Sequence, residues 1–134
     1  MTTRTAVVTD QAPPPVPVFS QGVRAGQLLQ VSGQVSADPA TGEFLFPGDL
    51  AKQTEQTLRN VEAVLKAGGA TFDNVVMLRV YLTDRANFGP MNDAYGEFLS
   101  TRITSGVRPG RTTVIVGLPA EELLIEIDAL AVLD

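Results

Sequence analysis

Alternation of apolar and polar residues is the clearest pattern in this chain, and it predicts β-strands. Short strands are predicted over residues 4–9, 28–35, 75–83, 112–117 and 123–132. In the last stretch one face is wholly aliphatic, whereas the other places Glu126 and Asp128 among leucine and valine. A carboxylate among apolar neighbours needs a partner or a chemical task, because burying a bare carboxylate is costly.

The same alternation assigns residues to the two faces of each strand. The inward face is predicted to consist of Leu29, Val31, Gly33 and Val35 in one strand, and of Val76, Leu78, Val80 and Leu82 in the next. Such faces suit burial beneath helices. The opposite faces mix Leu, Val and Met with Gln, Ser, Arg, Glu and Asp. A mixed face either meets water, as in many antiparallel sheets, or is covered by other subunits that leave pockets.

Two segments carry apolar residues at helical spacing. The first is predicted to begin after Asp49, which can act as N-cap, and to end at Gly68 and Gly69. The second carries a stripe of Phe88, Met91, Tyr95, Phe98 and Leu99, with Pro90 acceptable in its first turn. Residues 13–17 are proline-rich and extended, and residues 38–42 form a turn. The predicted order is β-β-β-α-β-α-β-β.

Composition narrows the chemistry. A chain of 134 residues with 44% hydrophobic and 19% charged residues is expected to form one soluble globular domain. It contains neither His nor Cys, which excludes Ser-His-Asp and Cys-His catalysis and zinc sites built from these ligands. No metal site is predicted, since no acidic cluster has calcium-loop spacing. General acid–base work must therefore fall to a carboxylate, Lys or Tyr.

Charge and the terminal segment bear on partners and location. The net charge of −5 argues against nucleic-acid binding, although Arg102, Arg108 and Arg111 lie close together in sequence. The first ten residues lack the apolar core of a signal peptide, and no stretch approaches membrane-spanning length. A cytoplasmic protein without membrane contact is predicted.

An ordered set of short motifs resembles the RidA family, also called the YjgF family. The motifs span about residues 15–131 and comprise FSQG at 19–22, VSGQV at 31–35, QT at 53–54, NV at 60–61, VYLTD at 80–84, MNDAY at 91–95, PGRTTV at 109–114, LP at 118–119 and IEIDA at 125–129. The resemblance implies a single domain over residues 1–134 with a chorismate-mutase-like α+β fold. That fold has a mixed sheet of about six strands with two helices on one face. It also implies a homotrimer with ligand clefts between subunits.

The resemblance further implies a cofactor-free deaminase. The family's archetypal members hydrolyse 2-aminoacrylate and its tautomer 2-iminopropanoate to 2-keto acids and ammonia. By the family pattern Arg111 binds the substrate carboxylate, for which a planar guanidinium is well suited. Glu126 orients and deprotonates water. These two groups are expected to face one cavity walled by subunits. Alternatively, Arg111 forms a structural salt bridge, even with Glu126, and Glu126 only lines a polar subunit seam.

Four further residues match substrate-binding positions of the family. Ser32 and Asn92 offer neutral hydrogen bonds, but Ser32 can also be a packing residue beside Gly33, and Asn92 can cap or bridge the second helix. Thr113 stands where several deaminases carry Cys, and the resemblance implies that the backbone carbonyl at this position helps to hold water, a role that Thr can keep. Phe19 stands where the family usually has Tyr, so one hydroxyl hydrogen bond is missing there. Asp128 is expected to be structural.

Other functions stay open at this point. Loss of the hydroxyl at Phe19 favours a small-carboxylate-binding or regulatory trimer without turnover. Endoribonuclease or translation-inhibitor activity, a label attached to some relatives, fits poorly with the absence of His and the negative charge. A related deaminase acting on a larger substrate, such as an aminomuconate, is a further alternative.

Overall fold

Six strands form one mixed sheet, and two helices pack against one of its faces, in a computed structural model that describes residues 2–134. The strands are β1 Arg4–Val7, β2 Gly22–Ala25, β3 Leu28–Gln34, β4 Val75–Leu82, β5 Gly110–Ile115 and β6 Ile125–Val132. The helices are α1 Leu50–Ala67 and α2 Phe88–Ser100. The sheet order is β1-β2-β3-β6-β4-β5, in which only β4 and β5 pair in parallel. The predicted α+β architecture and element order are confirmed.

The core lies between the helices and the aliphatic face of the sheet. The residues of that face with no exposed surface are Leu29, Val31, Leu78, Val80, Leu82, Ile125, Ile127, Ala129 and Ala131. Helix α1 covers them with Leu58, Val61, Val64 and Leu65, and α2 adds Met91 and Leu99. One continuous apolar cluster results, so the strand faces predicted for β6 are correct.

The ends of α1 follow from local sequence. Asp49 accepts a hydrogen bond from the backbone N–H of Lys52 at 3.0 Å, as expected for the N-cap. At the other end Gly68 packs so tightly that an added Cβ would lie 2.6 Å from Leu29 Cδ2. Gly69 follows with φ +90°, a conformation that glycine adopts without strain. The two glycines thus end the helix, as predicted.

Two β-bulges change the predicted faces. In β3 the register shifts between Val31 and Gln34, so that Ser32 and Gly33 together face Asp128 of β6. Gln34 is therefore buried opposite Ile127, and Gly33 turns to the outer face. The prediction that Gly33 and Val35 continue the inward face is wrong, because the extra residue reverses the alternation.

The second bulge lies at the start of β4. The register shifts between Val75 and Met77. Val75 is consequently 6% exposed and belongs to the core, whereas Val76 is 48% exposed. The prediction had placed Val76 inward and Val75 outward, and this part of it is wrong for the same physical reason.

The face of the sheet away from the helices is mixed and uncovered. Its central positions carry Gln30, Arg79, Tyr81, Glu126, Asp128 and Leu130. Leu28, Val114 and Val132 on this side are exposed apolar residues. At one edge of the sheet, β5 pairs only with β4, so the outer edge of β5 has no strand partner within residues 2–134. No helix in that part of the chain is both long and apolar enough to cross a membrane.

Candidate functional site

Arg111 lies on the helix side of the sheet, against α2. It stands opposite Leu78 in register, and its side chain is half-buried. The guanidinium carbon is 4.9 Å from the ring centroid of Tyr95 and 5.7 Å from that of Phe88. Nη1 is 3.8 Å from Met91 Sδ. Two aromatic rings and a thioether therefore position the guanidinium. These groups are neutral, so they do not balance its positive charge.

No carboxylate lies within ion-pair distance of Arg111 among residues 2–134. The ion pairs formed there are Arg59–Glu55, Arg79–Asp128 and Arg102–Glu62. The alternative of a structural salt bridge for Arg111 is thus not supported within one chain. A half-buried guanidinium without an acid partner is well placed to bind an anion with paired hydrogen bonds.

Two buried hydroxyls adjoin Arg111 and lack hydrogen-bond partners within the described chain, Tyr95 Oη and Thr113 Oγ1. Thr113 stands opposite Val80 and therefore on the same face as Arg111. Burial raises the pKa of Tyr95, while the nearby charges of Arg111 and Arg108 act in the opposite direction. Tyr95 consequently stays a neutral hydroxyl beside the cation.

Asn92 lies on the stripe of α2 that faces Arg111. It follows Phe88 by four residues and precedes Tyr95 by three, which places all three on one side of the helix. Its side chain makes no hydrogen bond within residues 2–134, and Asn87 is the N-cap residue of α2. A capping role for Asn92 is therefore not seen. We call Asn92, Tyr95, Arg111 and Thr113 the Arg111 cluster.

Glu126 lies on the opposite face of the sheet, over the bulge of β3. A Cβ added at Gly33 would lie 2.9 Å from Glu126 Cδ, so glycine is needed for the carboxylate to occupy this place. The carboxylate accepts no hydrogen bond from residues 2–134, and the side chain is half-buried. Burial raises the pKa of Glu126, and the negative charge of Asp128 raises it further. A carboxylate in this state is a stronger base than an ordinary glutamate.

Asp128 is occupied by a hydrogen-bonded network on the same face. Arg79 Nε donates to Asp128 Oδ1 at 2.7 Å, and Tyr81 Oη donates to Oδ2 at 2.7 Å. The bond to Asp128 is the largest cause that raises the pKa of Tyr81. These contacts agree with the structural role expected for Asp128. Sequence reasoning placed Arg79 and Tyr81 on one face but missed this pairing, although the shared polar face was the available signal.

Ser32 and Phe19 lie on the Glu126 side. Ser32 Oγ donates to the backbone oxygen of Ser20 at 2.6 Å, and its N–H bonds to Gln21 O at 2.9 Å. Ser32 thus fixes the loop that carries Phe19, a residue that is 50% exposed. We call Phe19, Ser32, Gly33 and Glu126 the Glu126 cluster.

The two clusters lie on opposite faces of one sheet. Arg111 and Thr113 align with the buried residues Leu78 and Val80, whereas Glu126 aligns with Tyr81 on the outer face. A single chain therefore does not bring Arg111 and Glu126 to one small ligand. The two groups of one chain cannot form the expected cavity by themselves, so a cavity shared by Arg111 and Glu126 would require a second copy of the chain.

Comparison with known proteins identifies the family. The family model described as endoribonuclease L-PSP matches residues 9–133. A RutC family protein of Pyrococcus horikoshii is 38% identical over 125 residues, which cover 93% of this chain and 94% of that protein. The 2-iminobutanoate/2-iminopropanoate deaminase of Rattus norvegicus is 36% identical over 129 residues, covering 96% and 90%.

A solved structure agrees with the sequence relatives. The crystal structure of the YjgF gene product from E. coli superposes with a TM-score of 0.86 at 33% identity, covering 96% of this chain and 98% of that one. The family model and these relatives each span most of the chain. The chain therefore belongs to the RidA family, which is also called the YjgF family.

Proposed function

We propose that this protein is a cofactor-free deaminase that hydrolyses 2-enamine and 2-imine acids, of the 2-aminoacrylate and 2-iminopropanoate type, to 2-keto acids and ammonia. The observation that carries the proposal is the unpaired guanidinium of Arg111, held by Tyr95 and Phe88 in a member of this family. The rat relative at 36% identity bears the name of such a deaminase.

Arg111 is proposed to bind the substrate carboxylate. The bound acid would supply the anion that the cluster lacks, and two parallel N–H···O bonds would orient C2 of the substrate. Thr113 and the amide of Asn92 lie on the same side and are proposed to bind substrate or water, Thr113 through its backbone carbonyl. The amide of Asn92 does not have to give up a protein hydrogen bond to do so.

Glu126 is proposed to transfer protons between water and the substrate nitrogen. Its carboxylate takes a proton from water as the water oxygen bonds to C2 and the C=N electron pair moves onto nitrogen. The same carboxyl returns that proton to nitrogen, which gives the carbinolamine. The carboxylate then takes the proton of the new hydroxyl and passes it to the amino nitrogen, so that the C–N bond breaks, the C=O bond of the keto acid forms and ammonia leaves. The raised pKa of Glu126 favours both steps, because the group is a better base and keeps the proton until nitrogen accepts it.

We propose that the site forms between copies of the chain in a homotrimer. The Arg111 cluster of one copy would face the Glu126 cluster of the next. The uncovered outer face, with exposed Leu28, Val114 and Val132, supports burial against another copy. Phe19 contributes an aromatic wall without the hydroxyl that is usual in the family.

A coupled assay tests the proposed activity. A pyridoxal-phosphate dehydratase generates 2-aminoacrylate in situ, and keto-acid release is followed with and without the protein. Wild type should accelerate release, whereas Arg111→Ala and Glu126→Gln should lose the acceleration. Arg59→Ala and Glu43→Gln, which change surface residues of the same charge, are matched controls and should retain it. An unchanged rate with wild type would reject the proposal.

Phe19 supports a second candidate, a trimer that binds a small carboxylate without turnover. Calorimetric binding of a 2-keto acid, together with no imine hydrolysis, would select this alternative. RNA cleavage is not proposed, because the chain lacks His and carries a net charge of −5. Ribonuclease activity that survives stringent purification and disappears in Glu126→Gln would contradict that judgement.

A further inference from the structure

A hollow of about 320 Å³ adjoins the Glu126 cluster and has no part in the proposed proton transfers. This volume lies at the lower end of the roughly 300–1,000 Å³ typical of ligand pockets. The wall is formed by the proline-rich segment 13–16, by Phe19 and Phe44, and by the stretch from Gly33 to Val35 with Gln21, Ala37 and Gly42. No charged residue contributes to it.

The wall contains two glutamines, of which Gln34 donates from Nε2 to the backbone oxygen of Ser32 at 3.4 Å and Gln21 is more fully engaged. The side-chain amide of Gln21 donates to the backbone oxygens of Thr9 and Pro13, and its oxygen accepts from the N–H of Thr9. These hydrogen bonds fix the position of the proline-rich segment relative to Gln21. The surface offered to a ligand is consequently mostly apolar, and its apolar part is formed by Phe19, Phe44, Val16 and the prolines.

Gly33 connects the hollow to the reacting groups. It forms part of the wall of the hollow and also supports the carboxylate of Glu126. Only Gly33 therefore lies between the hollow and a ligand whose C2 is placed beside Glu126. C2 of the substrate carries three substituents. Two of them, the carboxylate and the nitrogen, are polar, so the amino-acid side chain is the one that can enter an apolar space.

We propose that this hollow binds the side chain of the 2-imino acid, and that the preferred substrates carry an apolar side chain larger than methyl. The inference rests on the proposed deaminase function and deepens it by naming the substrate class. Each added methylene in a complementary apolar pocket is worth roughly tenfold or more in kcat/KM. The leucine-derived imine should therefore be hydrolysed with a kcat/KM at least about tenfold above that of the alanine-derived imine.

A substitution that fills the hollow tests the proposal. Val16 lines the hollow and is 52% exposed, whereas Val18 in the same segment is 87% exposed and does not line it. An amino-acid oxidase generates the imines from leucine and alanine, and kcat/KM is measured for both with wild type, Val16→Trp and Val18→Trp. Light scattering records the oligomeric mass of each variant.

Val16→Trp should lower kcat/KM for the leucine-derived imine by about tenfold or more and leave the alanine-derived imine within about twofold. Val18→Trp should change neither. The same ratio of the two kcat/KM values in Val16→Trp and wild type would overturn the side-chain site while leaving the deaminase function intact. A fall in oligomeric mass with an unchanged ratio would also overturn it, since the hollow would then be an interface. No acceleration of either imine by wild type would reject the deaminase function and this site with it.

Discussion

Two buried threonines of α1 differ in whether their hydroxyl has a partner. Thr54 Oγ1 donates to the backbone oxygen of Leu50 at 2.8 Å, whereas Thr57 Oγ1 is buried and has no partner among residues 2–134. Neither residue has exposed surface. A stranded hydroxyl keeps its desolvation cost and gains no hydrogen bond in return.

Thr57→Val should therefore raise the free energy of unfolding by about 1 kcal/mol, since valine has a similar shape and no hydroxyl to strand. Thr54→Val, the matched control, should lower the free energy of unfolding by about 1 kcal/mol, because a formed hydrogen bond is lost. Chemical denaturation of both variants measures the difference. Equal changes in the two variants would contradict the assignment of the hydroxyls.

Substitution of Gly33 tests whether imine hydrolysis depends on the position of the Glu126 carboxylate. An alanine Cβ there would meet Glu126 Cδ at 2.9 Å, so the flexible carboxylate must move while the exposed backbone stays. A displacement of this size can cost roughly a hundredfold in rate, and Gly33→Ala should lose imine hydrolysis by about that factor while unfolding normally. Gly117→Ala, where nothing lies within 4 Å, is the control. Full activity in Gly33→Ala would show that Glu126 does not act from this place.

At the scale of elements, alternation is a reliable guide only where a strand is regular. All four inward residues of β6, Ile125 to Ala131, are fully buried as the pattern predicts. In β3 and β4 a single extra residue reverses the faces, and it moved Gly33 and Val76 outward. The composition around a bulge does not reveal it, because the extra residue is accommodated by contacts with β6 that are distant in sequence.

Helix α2 contains a glycine whose replacement should strengthen it. Gly96 lies in the middle of the helix, and an added Cβ would meet nothing within 4 Å. Glycine in a helix interior costs about 0.5–1 kcal/mol relative to alanine, because its unfolded backbone is freer. Gly96→Ala should raise the free energy of unfolding by about this amount in chemical denaturation. A decrease would mean that the apparent space is filled in the assembled protein.

At the scale of the whole molecule, the sequence names candidate site residues but does not give their arrangement. The motif match located Arg111 and Glu126, and periodicity correctly placed Glu126 on the mixed face of its strand. Periodicity did not show that Arg111 faces α2, because β5 is an edge strand with little apolar alternation. Nor does the pattern of one chain show that these groups lie on opposite faces, which is why the proposed site spans two copies.

Mixing two inactive variants measures this arrangement most directly. Arg111→Ala and Glu126→Gln are unfolded together, refolded as a mixture, and assayed for imine hydrolysis alongside each variant alone. If every cleft takes Arg111 from one copy and Glu126 from the next, each mixed trimer holds one intact cleft, and equal mixing restores about a quarter of wild-type activity. Activity no higher in the mixture than in the separate variants, with mixed trimers present, would contradict a site shared between copies.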